Sequence, residues 1–163
     1  MKPYIIVIFA LITRTLLFMP TSLQAQDKPI QIALLTPIQI FSEKNAISGL
    51  RLNLIYGRNI SITGLDIGLV NHTTKSPSTG AQFGFIGLVE SDFTGWQDNS
   101  VNWTKKKCEG FQFGVINYAG SMSGFQLGLV NYTENMKGLQ IGIINIIKKG
   151  GAFPFFPIIN WSF

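Results

Sequence analysis

One cysteine and one histidine in 163 residues leave little material for site chemistry. Cys108 has no partner for an internal disulfide, and no cysteine lies near Ala25 to take a lipid anchor. With His72 alone, and carboxylates scattered, no metal-ligand spacing is present. The glycines never open a helix, so they form no phosphate cradle, and no cofactor is expected. Charged residues make up only 13% of the chain. No apolar run reaches the ~20 residues that span a bilayer as a helix.

The first 25 residues read as a secretory signal. Lys2 gives a positive start, Tyr4 to Ile12 an apolar stretch, and Leu23-Gln24-Ala25 a cleavage site, with Arg14 as a blemish. The expected division is a signal peptide at 1–25 and a β-repeat domain at 26–163. Removing Lys2 and Arg14 leaves 11 basic against 8 acidic residues, a net +3. That is too mild for a nucleic-acid partner. Lys105, Lys106 and Lys107 form the one basic cluster, followed closely by Glu109, and read as a solvated loop.

What the chain has is glycine, at fixed places. The template G-apolar-Q-apolar-G-apolar-(V/I)-N fits at Gly110–Asn117, Gly124–Asn131 and Gly138–Asn145. Gly64–Asn71 fits with Asp66 in the glutamine slot, and Gly80–Gly87 with glycine in the asparagine slot. Gly49–Tyr56 is a worn copy, and Gly95–Asn102 a degraded one that keeps Gln97 and Asn102. The signature residues are thus Gln82, Gln112, Gln126 and Gln140 with Asn71, Asn117, Asn131 and Asn145. Within each good copy Phe, Leu and Ile alternate with Gln and Gly, a period of two that predicts strands. Turn formers lie between them, and no helix is indicated beyond the leader.

The division of faces predicts an all-β chain closing as a small antiparallel β-barrel of about eight to ten strands, transmembrane, with large apolar side chains to lipid and Gln, Gly and Asn inside. Tyr56, Trp103, Tyr118, Tyr132 and Trp161 would form aromatic girdles. Phe153–Phe163, with Ile159, Trp161 and Phe163 on one face, resembles the terminal strand of outer-membrane barrels. The alternative is a β-solenoid of 14–16-residue repeats, which explains the Gln and Asn as in-register ladders. A soluble sandwich is the third arrangement; it leaves glycine at the centre of solvent-facing strands.

These residues also resemble a bacterial family of exported surface-repeat proteins with tandem G-x-Q-x-G-x-x-N units. The likeness covers "IQIALLTPIQIF", "LRLNLIYGRN", the clean repeats and "FPFFPIINWSF". It implies a bacterial envelope location and no catalytic residues.

The functional expectation is a non-enzymatic outer-membrane or cell-surface protein with membrane lipid as partner. Recognition is expected in Val89–Glu109, through Trp96, Trp103, Lys105, Lys106 and Lys107. The alternative is a soluble, periplasmic or surface-attached solenoid that binds a partner along its repeat face. A third reading is a small membrane-embedded hydrolase built on His72 with Ser76, Ser78 and Asp66.

Overall fold

The computed structural model describes residues 28–163. The signal expected at 1–25 lies outside the described residues. Nine strands follow one another: β1 (Ile30–Leu35), β2 (Ile38–Gln39), β3 (Ile47–Asn59), β4 (Ile62–Thr73), β5 (Ser78–Val89), β6 (Phe93–Phe113), β7 (Ile116–Leu127), β8 (Val130–Lys149) and β9 (Phe155–Ser162). They form one sheet in the order β2-β1-β3-β4-β5-β6-β7-β8-β9. Every neighbouring pair from β1–β3 to β7–β8 is parallel; only β1–β2 and β8–β9 are antiparallel.

This corrects the barrel. Each repeat is one coil of a β-solenoid of about six turns, and the sheet stays open at β2 and β9. Parallel neighbours need a long return path, and the 14–16-residue period supplies it: the rest of the coil is the crossover. Register follows the template, with Gly49 beside Gly64, Gly64 beside Gly80, and Gly124 beside Gly138. The turn at Thr133–Asn135 does not reverse the chain, because it lies inside β8. The degraded copy is a full coil too: Gly80 pairs with Gly95 and Gln82 with Gln97.

Two glycine columns make the coil possible. Gly124 has φ 136°, and a Cβ there would fall inside the van der Waals radius of the Gly110 carbonyl oxygen one coil below. At Gly128 a Cβ would strike the Gly114 carbonyl and the Asn117 amide. In the first column only glycine allows both the bend and the close approach of successive coils, whereas the second admits Asn53 and Asn99 among its glycines.

The second glycine is also a corner. Alternation holds through Phe125, Gln126 and Leu127; then Leu129 and Val130 follow each other without an inward residue, and Asn131 turns in fully buried. Strict alternation carried to Val130 would have placed that side chain inside.

The interior is mostly polar. Gln31, Arg51, Asp66, Gln82, Gln97, Gln112, Gln126 and Gln140 occupy one fully buried column. A second column holds Asn71, Asn102, Asn117, Asn131 and Asn145. The main apolar cluster includes Phe93, Cys108, Met122, Met136 and Ile147, and Ala33, Ile47 and Ile62 are buried apart from it. Strand spacing of ~4.8 Å sets like amides one hydrogen bond apart, the geometry of an amide ladder.

Candidate functional site

The glutamine ladder donates toward the start of the chain. Gln140 Nε2 donates to Gln126 Oε1 (2.8 Å), Gln126 to Gln112 (2.7 Å), Gln112 to Gln97 (2.8 Å) and Gln97 to Gln82 (2.9 Å). The last donor, Gln82, meets Asp66 Oδ2 at 2.9 Å. Asp66 also accepts two bonds from the Arg51 guanidinium, both 2.7 Å. A carboxylate suits this end, since it accepts from a run of amides and a bidentate arginine at once. The asparagine ladder points the other way: Asn102 donates to Asn117, Asn117 to Asn131 and Asn131 to Asn145, each at 2.8 Å. The two rows of amide dipoles therefore oppose each other. All eight signature residues lie fully buried in these columns, so they build the coil and contact nothing outside.

Outside, the polarity is inverted. Four adjacent outward rows carry mainly Leu, Ile, Val and Phe from coil to coil, the last of them Val70, Ile86, Val101, Ile116 and Val130 past the corner. One runs Leu50, Leu65, Ala81, Trp96, Phe111, Phe125, Leu139; the next runs Leu52, Ile67, Phe83, Asp98, Phe113, Leu127, Ile141. The rows reach Ile30 and Ile32 on β1 and Trp161 and Ile159 on β9. Leu69, Phe85, Val115, Leu129 and Ile143 add the corner row, each about half exposed. Nine rungs at ~4.8 Å, with β6 crossed twice, make a wall about 38 Å long and about 15 Å wide. That is on the order of 600 Å², at the top of the range for the largest apolar patch of a monomer. Asp98 and Ser100 interrupt it once, in the degraded coil.

Beside the wall runs an aromatic row. Trp103 stacks on Tyr118 at 4.0 Å between centroids, and Tyr118 on Tyr132 at 5.3 Å. Desolvation by burial pushes the Tyr118 phenol above its ordinary value, with the Glu134 charge adding to it. In the same row His72 is held from two sides: Tyr56 Oη lies 2.7 Å from Nδ1, and Glu90 Oε1 2.8 Å from Nε2. Burial raises Tyr56, against the opposing Arg58 charge, so its protonated phenol donates to Nδ1. With Tyr56 Oη donating to Nδ1, the ring N–H that faces Glu90 is the one on Nε2.

The five residues expected in one recognition loop are dispersed. Val89–Glu109 is chiefly strand β6, not a loop. Trp96 lies on the apolar wall, 5.6 Å from Phe111 and 5.4 Å from Phe113. Trp103 belongs to the aromatic row, past the corner at Ser100. Lys105 and Lys106 are exposed within β6, where its register against β7 shifts, while Lys107 pairs with Glu109 and its backbone N–H donates to Asp92 at 3.0 Å. The hydrolase residues are also kept apart. Asp66 is inside and bound to Arg51, and the buried Ser78 hydroxyl accepts from the Ile62 N–H at 3.2 Å. Among the described residues no group of His, Cys, Asp and Glu could hold a metal. The Tyr56–His72–Glu90 relay was not foreseen; once the coil length is known, the signal is that His72 and Leu88 fall in one row with Glu90 two residues on.

Fold and surface define a class: a parallel β-solenoid with a polar amide interior and an apolar outer wall. Comparison with protein-family models, with curated proteins and with solved structures finds no match for the chain.

Proposed function

We propose that this protein is a non-enzymatic, exported β-solenoid that lies on a bacterial outer membrane or cell surface, with its apolar wall set into lipid. The observation that carries the reading is the wall itself. Burying ~600 Å² of apolar surface is worth on the order of 10 kcal/mol before the cost of immobilisation. The flank supports lipid as the occupant. Trp103, Tyr118 and Tyr132 stand beside the wall, and rings of this kind, apolar in body and polar at the tip, belong at headgroup level. Net positive charge favours an anionic leaflet. The chain would lie in the interface, since its interior is filled by ladders and leaves no lumen.

Vesicle flotation tests this. The mature chain should rise with phosphatidylethanolamine/phosphatidylglycerol vesicles, and Leu127→Glu with Leu129→Glu should leave it at the bottom while its circular dichroism is unchanged. A folded wild-type chain that stays at the bottom sinks the proposal.

One observation favours a second reading, a soluble or surface-attached binding module. Asp98 sits in the wall and has no ion-pair partner among the described residues. A carboxylate covered by lipid is costly, whereas a protein partner could bring it a cation.

A further inference from the structure

We propose that the notch above Leu88 binds a planar aromatic carboxylate. This goes beyond the surface reading and does not depend on it. In consecutive coils one outward row reads His72, Leu88, Trp103, Tyr118, Tyr132. Four of the five are rings, and Leu88 is the gap. A cavity of about 490 Å³ opens there, bounded by His72, Leu88, Glu90, Trp103 and Lys105 among others.

The spacing fits one ring. His72 and Trp103 are two strands apart, roughly 10 Å, so a ring midway lies ~5 Å from each, inside the usual range for aromatic pairs. Tyr118 stacks on one face of the Trp103 indole, which leaves the other face, on the Leu88 side of the row, for a ligand, and both rings border the cavity. The imidazole opposite is fixed by Tyr56 and Glu90 before any ligand arrives, so little ordering is needed on binding. The two walls therefore offer a preformed slot with Leu88 as its apolar floor.

Charge sets the substituent. Lys105 is exposed and makes no ion pair among the described residues, so it is available to a single anion. Glu90, already engaged by His72, lines the same cavity and repels a second negative charge. A carboxylate fits this balance better than a dianionic phosphate.

The test uses the mature chain and the indole N–H signals of Trp96, Trp103 and Trp161, assigned through single Phe variants in NMR spectra. Titration with indole-2-carboxylate should shift the Trp103 signal saturably and leave the other two in place. Leu88→Tyr completes the row with the chain's own ring and should abolish the shift. Lys105→Gln, at an exposed position of β6, should weaken indole-2-carboxylate about tenfold and leave neutral indole unchanged. Phenyl phosphate should bind less tightly than benzoate. The proposal is overturned if Trp103 gives no saturable shift, if a folded Leu88→Tyr variant keeps it, or if Lys105→Gln binds the carboxylate as well as the parent.

Discussion

Asn99 fills the space that Gly87 leaves in the coil before it. Its Nδ2 donates to Asn102 Oδ1 at 2.7 Å and to Gln82 Oε1 at 3.3 Å, and a Cβ on Gly87 would sit 2.6 Å from that nitrogen. Two departures from the template, glycine in an asparagine slot and asparagine in a glycine slot, are thus one exchange between neighbouring coils. Asn53 and Gly57 make the same exchange within a single coil, and Asn53 Nδ2 donates to Asn71 Oδ1 at 2.8 Å.

The exchange predicts strong coupling. Gly87→Asn alone should destabilise by a steric clash, and Asn99→Gly alone by a cavity and a lost donor. The double variant restores the template and should recover about 1–3 kcal/mol relative to the sum of the single changes. Urea unfolding of the four proteins measures it.

A similar test applies to the buried ion pair. Asp66→Leu leaves the Arg51 guanidinium buried without its partner and should cost roughly 3–5 kcal/mol. Arg51→Gln with Asp66→Gln extends the glutamine ladder in place of the pair and should cost far less. Comparable losses from both changes, read by urea unfolding, would count against a ladder that accepts either chemistry.

Much of this was legible in the sequence, and one step was not. The in-register glycines, the buried Gln126 and Gln140, and the outward Phe125 and Leu127 follow from spacing and alternation. Strand direction does not, because the turn at Thr133–Asn135 has the composition of a hairpin turn whether the chain reverses or coils on. The corner at Leu129–Val130 is apolar on both residues and so passes for continued strand. Trp96 and Trp103, seven residues apart, part company at the same kind of corner at Ser100. Their separation can be read only once the coil is known.

Burial inside the coil raises the Cys108 thiol from its ordinary 9.0 to about 12. At pH 8 only about one in ten thousand is thiolate, so alkylation by iodoacetamide should require unfolding. A pKa raised on folding also carries a sign. The stabilisation is intact below the unfolded value of 9.0 and is lost as pH rises toward about 12. Between those limits Cys108→Ala should lose less stability with pH than the parent, as urea midpoints taken along the pH series would show.

The surface assignment is tested most directly by where the wall goes when vesicles are added. Nitroxide labels on Leu129→Cys and Lys75→Cys, each in a Cys108→Ala background, compare the wall with a charged turn by electron paramagnetic resonance. With phosphatidylethanolamine/phosphatidylglycerol vesicles the label at 129 should become accessible to oxygen and shielded from a water-soluble nickel chelate, while the label at 75 stays in water. If both labels remain equally open to the chelate, the wall does not enter lipid and the account is contradicted.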